Sequence, residues 1–360
     1  METRKIKALV DALLPWYAVN ARDLPWRRTK DPYAIHVSEI MLQQTQVKTV
    51  IPFWERWLRE LPTIAAAADA SPDKLHKLWE GLGYYTRVRN LQKAAQVIVR
   101  EHGGEFPERF EDVLALPGIG RYTAGAICSI AFNQPVPILD GNVIRVLTRI
   151  FGIGANPKAK ATNQRLWKLA EALVSSAARG AAATDACSRL NQSLMELGAL
   201  VCTPRQPQCP LCPARRCCVA FREGRVGELP NLGERTRTTA RHFTAFVIAR
   251  AGKFLVRQRP AGVVNAHLWE FPNVETNGRR VPAEALFQAE FGAAPRSIVP
   301  LATVKHSITR YRITMEAFTV DVARMKLPAR GAVWKTPAQM HQLAFTSAHR
   351  RILRAATGGV

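Results

Sequence analysis

Negative charge is scarce in this chain: across 360 residues, 28 aspartates and glutamates stand against 51 lysines and arginines, a formal net charge of +23. That imbalance argues for a polyanionic partner, with an anionic membrane surface as the competing reading. Long apolar runs are missing too. No stretch approaches the roughly 18 residues that a membrane-spanning helix needs, and the opening METRKIKALVDALL has neither the apolar core nor the small-residue cleavage site of a secretory signal. A cytoplasmic, reducing setting is the expectation. Cysteine is also sparse, with seven residues, and in a reducing compartment these do not form a disulfide framework. What is present, 47% hydrophobic and 22% charged residues, describes a folded chain long enough for two or three domains with their own cores.

The chain is organised around residues 116–145, LPGIGRYTAGAICSIAFNQPVPILDGNVIR. Gly118 and Gly120 flank one apolar residue just before a helix-forming run from Tyr122 to Ala131. Glycines there permit positive φ and close backbone approach, and the amides that open the following helix can face a phosphate. The pentapeptide therefore suits either a helix-hairpin-helix that grips a nucleic-acid backbone or an ordinary αα-hairpin turn. Asp140 precedes a second helix, Val143 to Phe151, where an aspartate makes a good N-cap.

Upstream, Ile6, Leu9, Val10, Leu13 and Leu14 give residues 4–19 a helical period. Residues 21–27, ARDLPWR, read as a loop that Trp26 can anchor to a core. Residues 32–45 read as a helix on which Glu39 sits among Val37, Ile40, Met41 and Leu42. A carboxylate so placed is desolvated, which raises its pKa and lets it act as an acid near neutrality. Gln43 to Gln46 extend the same helix as a polar end. Two helices are expected over 52–80, followed by the loop Gly81-Leu82-Gly83-Tyr84-Tyr85 and a helix from Thr86 to Glu101. After the central stretch, helices over 162–178 and 185–199 lead to Cys202, Cys209, Cys212 and Cys218, spaced C-x6-C-x2-C-x5-C in a proline-rich loop. Four such thiolates suit structural zinc or an iron-sulfur cluster.

These segments together resemble the endonuclease III superfamily of DNA glycosylases, and LPGIGRYTAGAI followed by PILDGNVIRVLTR is most similar to adenine DNA glycosylases of the MutY type. The resemblance implies a multidomain protein. An all-α helix-hairpin-helix glycosylase domain would occupy residues 1–222 and include an iron-sulfur cluster loop at 202–218, where Cys202, Cys209, Cys212 and Cys218 hold one 4Fe-4S cluster. A monomer acting on double-stranded DNA at the bacterial nucleoid is expected. The implied reaction flips adenine out of mispairs with 8-oxoguanine or guanine and hydrolyses its glycosidic bond, leaving an abasic site.

The resemblance also assigns roles. Glu39 would protonate adenine N7, and Asp140 would stabilise the developing oxocarbenium charge, directly or through a covalent sugar adduct; two carboxylates with separate tasks are the pattern of glycoside hydrolysis. Tyr122 would support Asp140 and the sugar, and Asn142 would hold water or phosphate. Where the bifunctional glycosylase/lyases carry a Schiff-base lysine this chain has Tyr122, which implies a monofunctional enzyme. Arg22, Leu24, Trp26, Arg27 and Gln192 would border the adenine pocket. Gln44, Thr45, Leu82 and Tyr84 would reach the orphaned base, and Gly118 and Gly120 the backbone.

Residues 223–241 are rich in glycine, proline and arginine without periodicity and read as a linker. Beyond them, residues 242–360 turn to strand-like alternation: a hairpin of His242–Arg250 and Lys253–Arg259 around Ala251-Gly252, a helix near 283–291, strands through 298–322 and a last helix near 347–356. This α+β domain resembles the Nudix-like C-terminal domain of the MutY type. A catalytic Nudix box needs a glutamate-rich helix, which VETNGRRV at 274–281 does not supply, so the domain reads as a DNA-recognition module. The family's Phe-Ser-His opposite-base reader is replaced by Ile308-Thr309-Arg310, with Thr309 as the candidate contact to 8-oxoguanine. The competing readings are a non-catalytic mismatch-binding protein, a bifunctional glycosylase/lyase and a nucleotide pyrophosphatase.

Overall fold

Apolar spacing and capping residues divide the first 222 residues into short helices. The computed structural model describes residues 2–180, 184–234, 238–276, 281–308, 310–322 and 331–358. Along the chain the helices run α1 (Glu2–Asn20), α2 (Pro32–Leu42), α3 (Val47–Glu60), α4 (Ile64–Asp69), α5 (Pro72–Leu78), α6 (Thr86–Glu101), α7 (Phe110–Ala115), α8 (Arg121–Phe132), α9 (Gly141–Phe151), α10 (Lys160–Arg179), α11 (Ala186–Leu200) and α12 (Val219–Arg222). Two units result, residues 1–69 with 89–235, and residues 70–88 with 236–360.

The first unit is all-α. Ile6, Leu9, Val10 and Leu13 bury one face of α1 in a core shared with Ile127 of α8, Val146 of α9, Leu173 of α10 and Leu197 of α11. Helix α8 is buried from Thr123 to Ile130, and its small residues permit that depth: a Cβ added at Gly125 would lie 2.3 Å from the Pro137 carbonyl oxygen. Two sequence expectations need correction here. Helix α2 ends at Leu42 rather than running to residue 45, because Gln44 takes a left-handed φ of 56° and the next helix starts at Val47. Residues 52–80 hold the rest of α3 together with α4 and α5. The extra helix starts where the Thr63 hydroxyl accepts from Ala66 N, a capping signal too short-ranged to stand out from its alanine-rich surroundings.

The second unit is built on a sheet of β1 (Thr239–Arg250), β2 (Lys253–Gln258), β3 (Trp269–Glu270), β4 (Asn273–Glu275), β5 (Ser297–Ile308), β6 (Tyr311–Asp321) and β7 (Ala332–Lys335), with α13 (Ala283–Phe291), α14 (Pro337–Gln342) and α15 (Ser347–Ala356). The main strand order is β3-β2-β1-β6-β5, with β4 on β1 and β7 on β2. Strand alternation sends Ala245 and Val247 of β1 into one core with Ile352 and Leu353 of α15, and Phe246 and Ile248 into a second core with Phe287 and Phe291 of α13. Strand β1 begins at Thr239, inside the stretch expected to be linker. Thr309 and residues 277–280 lie outside the described residues; Val274 and Glu275 of the VETNGRRV stretch form part of β4. Among the described residues no helix is long and apolar enough to cross a membrane.

Candidate active site

Asp31 caps α2 by accepting from Tyr33 N, and Pro32 sets the first turn. From Tyr33 to Met41 the helix is buried, so Glu39 has no solvent of its own and is 6% exposed. The Tyr122 hydroxyl, from α8, donates to Glu39 Oε2 at 2.8 Å. Burial pushes the Glu39 carboxyl up; the Tyr122 hydrogen bond opposes this, the Asp140 charge adds to it, and the Arg27 charge lowers it, leaving a pKa of about 7. Burial likewise holds Tyr122 well above the usual phenol range, with the Glu39 and Asp140 charges adding to the shift. Tyr122 is thus a neutral donor at any physiological pH. The resemblance assigned it to Asp140; in the structure its hydroxyl donates to Glu39 and to Met195 Sδ, the latter at 3.4 Å.

Asp140 caps α9, its Oδ1 accepting from Val143 N at 2.7 Å. Its other oxygen, Oδ2, accepts from Asn142 Nδ2 at 3.0 Å. The cap and the candidate catalytic group are therefore one residue. Burial raises the Asp140 carboxyl while the bonds from Val143 and Asn142 lower it, with a net rise. Asn142 is locked in orientation, since its Oδ1 accepts from Arg145 Nη2 at 2.8 Å. Arg145 in turn donates to the carbonyls of Gly198 and Cys202. The missing side chain at Gly198 makes room, for a Cβ there would lie 2.6 Å from Asn142 Cβ. Asp140 and Asn142 open onto a groove of about 980 Å³ that Lys158, Asn163 and Arg205 also line.

The 21–27 segment ends in a 3₁₀ turn, Pro25–Arg27. Leu24 and Trp26 are buried, and the Trp26 ring meets Trp54 edge-on at 6.1 Å. Arg22 and Arg27 converge on a residue that sequence reasoning missed, Glu196 of α11. Its Oε1 accepts from Arg22 N and Nε, and its Oε2 from Arg22 Nη2 and Arg27 Nη2, all at 2.8 Å. Burial pushes the Glu196 carboxyl up, but the hydrogen bonds from Arg22 and Arg27 outweigh it and bring the pKa down to about 2. Arg27 also lies over the Tyr17 ring at 5.5 Å, and the Tyr17 hydroxyl donates to Gln192 Oε1 at 3.0 Å. Glu196 carried the same signal as Glu39: an acid set among apolar residues, here Leu194, Met195 and Leu197.

At the hairpin before α8, Gly118 has φ of 78°, and a Cβ there would lie 2.5 Å from Asn90 Cβ. Gly120 is the N-cap of α8 with open space at its Cβ position, which leaves the helix amides approachable. Gln44 is exposed and Thr45 half-buried between α2 and α3. Leu82, buried, and Tyr84, 40% exposed, belong to the second unit. There Arg87 fixes their loop by donating to the Leu82 and Gly83 carbonyls.

Cys202, Cys209, Cys212 and Cys218 line one cavity together with Arg149, Leu197 and Phe221. Among the described residues no three His, Cys, Asp or Glu side chains gather as a site for one metal ion. Arg149, 2% exposed, organises the loop by donating to Cys202 Sγ at 3.3 Å, to the Thr203 carbonyl at 2.7 Å and to the Leu229 carbonyl at 2.9 Å. Burial pushes the Cys212 thiol up to about 12 and raises Cys209 and Cys218, with neighbouring cysteines adding to each shift. Without a metal, the Cys209, Cys212 and Cys218 thiols therefore resist ionisation.

The model of the HhH-GPD superfamily base excision DNA repair proteins matches residues 37–172, and that of the NUDIX domain matches residues 244–355. The chain is 36% identical to an adenine DNA glycosylase of Rattus norvegicus over 404 residues, covering 95% of this chain and 76% of that one. It is 34% identical to an adenine DNA glycosylase of Homo sapiens over 419 residues, covering 99% and 75%. A solved thermostable thymine-DNA glycosylase, 29% identical, superposes with a TM-score of 0.55 over 61% of this chain and 98% of that one. An endonuclease III bound non-covalently to DNA shares the fold, with a TM-score of 0.50 at 20% identity over 62% of this chain and 97% of that one. The chain belongs to the adenine DNA glycosylase family.

Proposed function

We propose that this protein is a monofunctional DNA glycosylase that removes adenine mispaired with 8-oxoguanine or guanine and leaves an abasic site in an intact strand. The observation that carries the reading is Glu39: a buried carboxyl with a pKa of about 7, held at 2.8 Å by a neutral tyrosine. Such a group is protonated below neutrality, keeps a protonated fraction at it and can part with its proton, as a general acid must. Its proton passes to N7 of a flipped adenine, so the C1′–N9 electron pair leaves on a neutral base rather than an anion. The Asp140 carboxylate, fixed by Val143 N and Asn142, faces the sugar cation that forms. Water then adds to C1′ and releases its proton to a carboxylate. Tyr122 cannot form an imine with the opened sugar, so no lyase step follows.

The four cysteines fit one 4Fe-4S cluster, which when bound would supply the positive charge that keeps their thiolates together and the loop folded. Arg149 and Arg145 tie that loop to α9. The partner is double-stranded DNA, read by a strongly basic protein acting as a cytoplasmic monomer. Single-turnover excision on A·T, A·G and A·8-oxoguanine duplexes, with and without alkali, tests the reading. Abasic product on the two mispairs, cleaved only after alkali, is expected. Tight mispair binding with no abasic product would leave a non-catalytic mismatch binder.

A further inference from the structure

Residues 70–88 interrupt the helical unit in sequence but belong to the sheet-built one. Their tip has an unusual backbone: Gly81 and Gly83 take φ of 115° and 70°, and Tyr84, which carries a Cβ, takes 49°. A bulky residue in that region is strained, so the surroundings must hold it there. Trp79 Nε1 donates to the Gly83 carbonyl at 3.0 Å, and the Arg87 guanidinium lies over the Tyr84 ring at 5.5 Å. The loop thus presents an exposed ring on a fixed backbone. At its root, Glu80 Oε1 accepts from Phe345 N at 2.9 Å and from Arg350 Nη1 at 3.3 Å, and Oε2 accepts from Lys77 Nζ at 2.9 Å. Lys77 also donates to the Leu343 carbonyl at 3.2 Å. The segment that receives these bonds is itself tied to the edge strand β3, because Trp269 N donates to the Ala344 carbonyl and Thr346 N to the Trp269 carbonyl.

We propose that Glu80 is a positioning residue for recognition of the base opposite adenine: it clasps the Tyr84 loop to the edge of the sheet, so that the second unit takes part in mispair binding by holding this ring in place. The inference rests on the reading of the protein as a mispair-specific glycosylase. An exposed aromatic ring on a braced, strained loop is suited to stack against a base orphaned by flipping. Its value there depends on being ordered before DNA arrives, since ordering a loop on binding costs affinity. Glu80 is placed to supply that order. Its side chain is 13% exposed, and the Phe345 amide it accepts from belongs to a residue that is 1% exposed, so cutting the clasp leaves a buried donor without its acceptor.

The test is single-turnover excision by the full chain, titrated on an active-site basis to saturation on an A·8-oxoguanine duplex, which separates the half-saturating concentration from the limiting rate. Glu80→Ala should raise the half-saturating concentration by about tenfold, the worth of one stacked base, and leave the limiting rate in place. Glu80→Gln retains an acceptor for Phe345 N and should stay close to wild type. Tyr84→Ala should also weaken binding, and combining it with Glu80→Ala should add nothing further, because both act through one ring. A purely structural role for Glu80 would lower the active fraction without moving half-saturation. That result, or full additivity with Tyr84→Ala, would overturn the proposal. If Glu80→Ala does not fold, Lys77→Met combined with Arg350→Ala strips the carboxylate of both side-chain partners and should raise the half-saturating concentration in the same non-additive way; no change there also overturns it. A wild type that excises adenine from A·T as readily as from A·8-oxoguanine would remove the mispair reading, and this inference with it; a wild type that discriminates, with Glu80→Ala indistinguishable from it, removes the inference alone.

Discussion

Two carboxylates of the helical unit, Glu39 on α2 and Glu196 on α11, are both buried among apolar side chains, and they end at opposite extremes. Glu39 is raised to about 7 and Glu196 lowered to about 2. Desolvation pushes both the same way, so the partners decide. Glu39 accepts one hydrogen bond, from a neutral hydroxyl, and the nearby charges of Asp140 and Arg27 oppose each other there, whereas Glu196 accepts from two guanidiniums and a backbone amide. Burial alone creates a usable acid; burial with fixed cations creates a permanent anion, suited to holding a pocket wall in place.

The largest expected effect breaks the Glu39 side of this contrast. Glu39→Gln keeps the shape and loses the proton donor, so excision should fall by about 10²- to 10⁴-fold, with mispair binding nearly unchanged in a gel-shift titration. Asp140→Asn should also abolish excision. Were it to keep the rate and lose only melting temperature, capping α9 would be Asp140's whole role.

Stability should respond in opposite senses. Glu196 has a depressed folded pKa, so its contribution is present above its unfolded value of about 4.5 and is lost as pH falls towards 2. Glu196→Ala leaves the half-buried Arg22 and Arg27 without their buried counter-charge and should cost about 1.5–3 kcal/mol in urea unfolding at pH 7. Glu39 has a raised folded pKa, so the native state binds the extra proton between about 4.5 and 7 and stability falls as pH rises through that window. Glu39→Gln removes that penalty. At pH 8 the variant should unfold later than wild type, by up to about 3 kcal/mol, and an advantage over wild type no larger at pH 8 than at pH 5 would contradict the shift.

The smallest effect concerns the second unit. If the segment around Thr309 reads the opposite base, Thr309→Ala should reduce the preference for A·8-oxoguanine over A·G by about 1–3 kcal/mol in paired binding titrations, while the excision rate of bound adenine stays constant. Unchanged discrimination would leave the reading of the opposite base to Gln44, Thr45, Leu82 and Tyr84.

Much of this was legible in the chain. Helix α6 runs over the residues its periodicity indicated, the hairpin around Ala251-Gly252 closes as its alternation predicted, and Glu39 is buried as its apolar neighbours required. The break at Gln44 was hidden because glutamine is a good helix former and nothing in residue type announces a left-handed φ. Residues 70–88 fall with the second unit through contacts such as Glu80 accepting from Phe345 N, 265 positions away. The same reason concealed Glu196: its burial could be read locally, but its charge state depends on arginines 169 and 174 positions distant.

The account stands on Glu39 being protonated near neutrality, and infrared difference titration of wild type against Glu39→Gln measures that group directly. A protonated carboxylic-acid stretch that is absent from the variant and disappears with a midpoint near pH 7 is the predicted result. A Glu39 already ionised at pH 5 would contradict the account.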